Sequence, residues 1–212
     1  MTTKDRILDA AERLFARDGI EATSLRAITA EAGVNLAAVN YHFQSKDALV
    51  HAVIARRMAP VNQRRLELLD ACERAAGDGP PPLEQVLDAF LRPAVEILAS
   101  HAREFTPLMG RLYMEPWDFV ERIYKEHLEP VATRFIRAYQ RALPGLPRAE
   151  LMWRLHFAIG ALAHTLGASH LLQIFSSGEC DPSDVEGTLQ RLEAFTIAGL
   201  TAPVGEVQHA VH

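Results

Sequence analysis

The stretch Ala32-Gly-Val-Asn-Leu-Ala-Ala-Val-Asn-Tyr-His-Phe-Gln-Ser45 holds no aspartate or glutamate, although Glu31 and Asp47 flank it. Side chains that approach a phosphate backbone carry carboxylates only at electrostatic cost. What this stretch offers instead suits the reading of base edges. Asn40 can pair bidentately with adenine, and the small Ala37 and Ala38 allow close approach and contact with a thymine methyl. Leu36 shares their outer face. Tyr41, His42 and Lys46 are placed for phosphate contacts, which set register and orientation. Upstream, Ser24 begins a helix whose free amides can take a phosphate, with Arg26 in its first turn.

Other chemistries find little support. There is no glycine-rich phosphate loop and no Ser–His–acid or Cys–His signature. Cys72 and Cys180 are too few and too far apart for a zinc site or a disulfide framework. His156, His164 and His170 are spaced by eight and six residues, not by the four that set two ligands side by side on a helix. No catalytic residue, metal or cofactor is expected. An enzyme built from scattered acids is the least favoured alternative. A helical protein-interaction module without DNA binding ranks above it, and the intact Asn35–Lys46 segment speaks against that module.

The elements that must position these residues read as helices throughout, so the fold class is all-α. No sustained period-two alternation appears, whereas helical spacing recurs. Ile7, Leu8, Ala11, Leu14 and Phe15 form one stripe, ending at Asp18-Gly19. Thr23-Ser24 cap a helix over 25–32, Gly33 supplies a left-handed turn, Asn35 caps a helix over 36–42, and Ser45 caps another from Lys46. That is a helix-turn-helix. Pro60 should kink or break the fourth helix. The Gly77-Asp-Gly-Pro-Pro-Pro82 run reads as a linker. Further helices are expected over 83–100, about 104–113, 116–143, 148–174 and 182–200.

These residues resemble the TetR family of bacterial transcriptional regulators over the first fifty or so positions. The match rests on Ile7-Leu-Asp-Ala-Ala, Leu14-Phe, Gly19, Thr23-Ser-Leu-Arg-Ala-Ile-Thr, Ala32-Gly-Val, Tyr41-His-Phe and Ser45-Lys-Asp-Ala-Leu. Many members carry an aromatic directly before the position of Tyr41. Asn40 stands there here, which favours a base contact over the family's tyrosine–phosphate contact. Gly33–Phe43 together with Trp153–Gly160 is similar to the PsrA-type branch, whose effectors are fatty acids or their coenzyme A esters.

The resemblance implies a helix-turn-helix DNA-binding domain over 1–50, with the start of a connecting helix. It also implies a helical effector-binding and dimerisation domain over 51–212. The expected partners are double-stranded DNA, a small effector and a second copy of the chain. Two-fold symmetry then predicts a palindromic operator. Repression relieved by ligand is the family expectation. Phe90, Leu108, Met109, Leu112, Phe119, Trp153 and Phe157 are candidates to line an effector cavity, with ordinary core as the alternative. Arg111 is a candidate anchor for a carboxylate or phosphate, against an internal ion pair with Glu104 or Glu115. For the dimer interface the candidates are the small-residue stripe Gly160, Ala163, Gly167 and the stripe Val185, Leu189, Leu192, Thr196.

Composition bounds the rest. At 212 residues the chain can bury a core without staples, and a net charge of −5 argues against binding nucleic acid by bulk charge. Arg56, Arg57, Arg64 and Arg65 are expected as a solvated face, at most a long-range attraction for DNA. Residues 155–178 lack Asp, Glu, Lys and Arg and are long enough to span a bilayer. Three histidines, three glycines and the Ser176-Ser177-Gly178 turn rank a buried subunit interface well above a membrane span. With a polar start, no signal-peptide pattern and few cysteines, the expected compartment is the cytoplasm.

Overall fold

The computed structural model describes residues 1–96 and 115–204, apart from the side chains of Ser169 and His170, and every regular element among them is an α-helix. In chain order these are α1 (Thr3–Asp18), α2 (Leu25–Ala32), α3 (Leu36–Phe43), α4 (Lys46–Ala76), α5 (residues 83–96), α6 (Trp117–His127), α7 (Glu129–Ala142), α8 (Arg148–Gly167), α9 (Ser169–Phe175) and α10 (Val185–Thr201). They fall into two compact units. One takes in Met1–Leu66 and Glu96–Thr133, the other Glu67–Val95 and Arg134–His212. Contacts thus divide the chain within α4, beyond the expected cut at residue 50.

In the first unit, local chemistry sets the helix ends. Thr2 and Asp5 form a capping box: Asp5 N donates to Thr2 Oγ1 at 3.1 Å and Thr2 N to Asp5 Oδ2 at 2.9 Å. The stripe Ile7, Leu8, Ala11, Leu14 and Phe15 is buried. It packs with Ile28 and Ala32 of α2, Val39 and Phe43 of α3, and Leu49, Val50, Val53 and Ile54 of α4. Phe119 and Ile123 of α6 complete this core. Ser45 starts α4 as expected, its Oγ accepting from Ala48 N at 3.0 Å.

α4 runs unbroken through Pro60, against the expected local break. Met58 and Val61 beside it are buried. Their packing offsets the one backbone hydrogen bond that the proline removes. Of the arginines around Pro60, Arg64 is exposed as expected, and Arg56, Arg57 and Arg65 depart from expectation. Arg57 grips the buried Glu12 with two bonds (2.7 and 3.0 Å), and Arg56 bonds both Glu12 and Asp9. Arg65 is buried, not solvated.

In the second unit, residues 77–82 act as a tight turn. Gly77 takes a left-handed φ of 57°, and Arg141 Nη2 donates to the carbonyls of Gly77 (3.1 Å) and Gly79 (2.6 Å). Arg134 of α7 bonds Asp70 and Glu73 of α4 at 2.7 and 2.8 Å. Arg154, buried on α8, reaches the C-terminal end of α10: Nη1 donates to Leu200 O at 2.8 Å and Ala202 O at 2.7 Å. Two helices expected as single segments, the first of them bent at Pro130, are each split. The break at Leu128 places Pro130 in the first turn of α7, where its missing N–H costs nothing. The break at Ala168 follows Gly167, a weak helix former, and divides the uncharged run between α8 and α9. No helix among the described residues is long and apolar enough to cross a membrane.

Candidate nucleic-acid interface

The turn between α2 and α3 is fixed from three sides. Gly33 adopts φ 62°, ψ 41°, a left-handed conformation that a side chain resists, and its N–H bonds back onto α2. Val34 N donates to Thr29 O at 3.0 Å. Arg6 of α1 reaches across and donates Nη2 to Ala32 O (2.6 Å) and Gly33 O (2.9 Å). Just before α2, the buried Thr23 donates its hydroxyl to Gly19 O at 2.7 Å.

This scaffold turns one face of α3 inward and the other outward. Val39 and Phe43 are buried, whereas Leu36, Ala37, Asn40, Tyr41 and His42 are exposed. Tyr41 is 83% exposed and meets the His42 ring edge-on at 5.0 Å, so two ring systems with hydrogen-bonding tips project together. No carboxylate belongs to this helix. A DNA major groove admits an α-helix, and a face without carboxylates meets phosphates without like-charge repulsion.

Several expected contacts have local roles instead. Asn35 Oδ1 accepts from Ala38 N at 2.9 Å, so the residue caps α3. Ser24 Oγ accepts from Ala27 N at 3.1 Å and caps α2. The α2 amides ahead of that bond remain at an open helix terminus, where Arg26 is exposed. Ala38 is half-buried against the core and does not face outward. Lys46 donates Nζ to Glu21 O at 2.9 Å, which ties α4 to the turn before α2. Ala38 packs on the module, whereas Lys46 stays partly exposed. Sequence reading missed Arg6, which reaches α2 and the turn after it, and Glu12, whose partners lie on α4. It also missed Gln44, exposed at the end of α3 with φ 64°.

Four residues of the expected effector lining are described: Phe90, Phe119, Trp153 and Phe157. Leu108, Met109, Arg111 and Leu112 lie outside the described residues. Phe119 is buried in the core of the first unit. In the second unit, Phe90 meets Phe135 edge-on at 5.2 Å. Trp153 and Phe157, 61% and 63% exposed, stack on each other at 5.9 Å along α8. The second unit does hold an open groove of about 460 Å³, lined by Leu68, Ala71, Cys72, Glu84, Gln85, Asp88, Ala89 and Glu193. Burial, and then the neighbouring Asp88, push the Glu193 carboxyl up to about 7.

The two stripes offered for subunit contact part company. Gly160, Ala163 and Gly167 are exposed on α8, and Val185 is half-buried. Leu189, Leu192 and Thr196 are buried within the unit, where α10 packs on α8. That stripe is core, and Phe195 on another face of α10 is 70% exposed.

A helix-turn-helix module joined to a larger helical region is the architecture of single-chain transcriptional regulators. Residues 7–53 match the family profile described as bacterial regulatory proteins, tetR family, and residues 88–199 match that of the tetracyclin repressor-like C-terminal domain. The chain belongs to the TetR family. It is 37% identical over 70 residues to the HTH-type nicotine-responsive transcriptional repressor HdnoR of Paenarthrobacter nicotinovorans, covering 33% of this chain and 36% of that one. It is 30% identical over 102 residues to the HTH-type transcriptional repressor BepR of Brucella suis biovar 1, covering 48% and 46%. The matches thus span about a third to a half of these curated relatives. Among solved structures, the fatty acid degradation regulator FadR from Bacillus halodurans has the same fold, with a TM-score of 0.63 at 15% identity over 89% of this chain and 97% of that one.

Proposed function

We propose that the chain is a ligand-responsive repressor that binds a palindromic operator as a homodimer and is released by a small apolar or acyl-type effector. The observation that carries DNA binding is the exposed, acid-free face of α3, with Asn40 placed to read a base and Tyr41 and His42 to meet phosphates. The fixed turn at Gly33 supports this role, because readout needs a rigidly presented helix.

Dimerisation is supported by the outer surface of α8, α9 and α10. Trp153, Phe157, Ile159 and Phe195 are each 45% exposed or more, and the small Gly160 and Ala163 lie exposed along α8. Apolar surface of this density marks an interaction site. The acyl-type effector rests on similarity to PsrA-type regulators, and FadR is by its name a regulator of fatty acid degradation. A second reading, a cationic effector, is favoured by the groove, where Glu84, Asp88 and Glu193 would attract an amine and repel a carboxylate.

Selection of bound fragments from the source genome at stated salt tests the reading. A recovered palindrome is expected; no enriched sequence from a folded protein overturns it. Release of that DNA by a long-chain acyl-coenzyme A or by a hydrophobic amine then decides between the two effectors. An effector shifts binding only by its differential affinity for the two forms.

A further inference from the structure

In the first unit, His51 of α4 converges with Glu126 and His127 at the end of α6. One ligand atom from each lies within 4.8 Å of the others. His51 Nδ1 stands 2.7 Å from Glu126 Oε2. His127 Nε2 stands 3.8 Å from Glu126 Oε1, beyond hydrogen-bonding reach, and is a buried atom with no hydrogen-bond partner among the described residues. Both imidazoles are largely enclosed (side chains 17% and 12% exposed), and the carboxylate is open to solvent (60%). The backbone here is held too, since Asn62 donates Nδ2 to His127 O at 2.8 Å.

A histidine–glutamate staple between two helices accounts for His51 and Glu126. It leaves His127 unexplained, because a buried ring nitrogen with no partner among the described residues carries a desolvation cost. A cation held by all three residues would satisfy it. We propose that His51, Glu126 and His127 form a site for a divalent transition metal, with zinc the best match and a fourth position left to solvent. Two imidazoles and one carboxylate are a borderline donor set, suited to zinc and its neighbours and not to calcium or magnesium, which take oxygen. Ligand distances of about 2.0–2.1 Å place tetrahedral donors about 3.3 Å apart.

The site lies where it would matter. α4 follows the reading helix after only two residues, and α6 belongs to the same core through Phe119 and Ile123. A bound metal would pin α6 to the first turns of α4, the base on which α3 rests.

The test uses the full chain without an affinity tag, titrated with Co²⁺ as a spectroscopic stand-in for zinc and read without DNA. Failure to bind metal is thereby kept separate from failure to bind an operator. Visible d–d absorption saturating at one metal per chain is expected, displaced by Zn²⁺, with a rise in Tm. Glu126→Gln alters an exposed group and should fold normally, weakening the metal at least about ten-fold. His127→Gln should abolish the bands, whereas His209→Gln with His212→Gln should leave them intact. Absence of saturable absorption in the wild type overturns the site, as do bands that survive both Glu126→Gln and His127→Gln.

Discussion

Asn40 and Tyr41 are neighbours on one exposed helix face, and the proposed DNA interface gives them different tasks. An asparagine amide distinguishes adenine from the other bases, whereas a phenol on a phosphate carries no sequence information. Asn40→Ala should therefore weaken operator binding by about 1–3 kcal/mol, the range of a bidentate base contact, while binding to scrambled duplex stays level. Fluorescence anisotropy on both duplexes at one salt concentration measures the ratio, and an equal loss on both would mean that Asn40 reads no base. Glu12 illustrates the opposite kind of residue. Fully buried on α1 between Arg56 and Arg57, it touches no candidate ligand and holds the frame. Removing one partner of a buried ion pair strands the other charge, so Glu12→Gln should cost about 3–5 kcal/mol. Chemical denaturation should show a lower midpoint at unchanged slope. At this scale the sequence was readable wherever function is a matter of residue type. It named Asn40, Tyr41 and His42, all of which the fold leaves exposed. It could not assign Arg6 or Glu12, whose partners lie 26 to 45 positions away. It offered Lys46 to phosphate because a lysine at a helix start gives no sign that it will bond Glu21 O.

Among the elements, legibility followed the reach of the forces that set them. The ends of α2 and α3 come from Ser24, Gly33 and Asn35, each acting within three residues, and the expected and observed bounds agree to within a residue. The course of α4 past Pro60 and the inward turn of Leu189, Leu192 and Thr196 depend on packing between distant segments, which periodicity does not encode. A helical stripe announces a buried face and says nothing of whether its cover is the same chain or another. The pairing of α5 with α10 carries a titration of its own. Glu193 is pushed up to about 7, first by burial and then by Asp88, with Arg92 pulling the other way and Glu186 adding to the rise. Its ordinary value is 4.5, so between about 4.5 and 7 the folded chain holds a proton that the unfolded chain has released. Stability from this group should fall as pH rises through that window and level off above it. Glu193→Gln keeps the shape without the charge. By calorimetry it should exceed the wild type in Tm at pH 8 and match it near pH 5. A constant difference across the range would place the origin outside this carboxyl.

For the whole molecule, the proposed repression turns on whether two reading heads act together. A single α3 spans only one major-groove segment, and specific operator affinities come from two half-sites bound as one event. The surface proposed to bring two copies together is the outer side of α8 and α10, where Phe157 stacks on Trp153 and Phe195 stands exposed. These side chains do little for the chain that carries them, since most of their area faces solvent. A charge introduced there should therefore spare the fold and attack association, which separates interface from core as substitution at the buried Leu189 would not. Phe157→Glu should give a folded monomer by sedimentation velocity, with a far-UV spectrum like that of the wild type. Two like charges would face each other across the symmetry axis, and a buried unpaired carboxylate is costly to desolvate. Operator binding should then weaken by more than the ten-fold given by 1.4 kcal/mol, because the second half-site becomes a separate encounter. A variant that remains dimeric at micromolar concentration would move the interface off this face. A monomer that still bound the operator tightly would mean that one α3 suffices, and the palindrome would lose its physical reason.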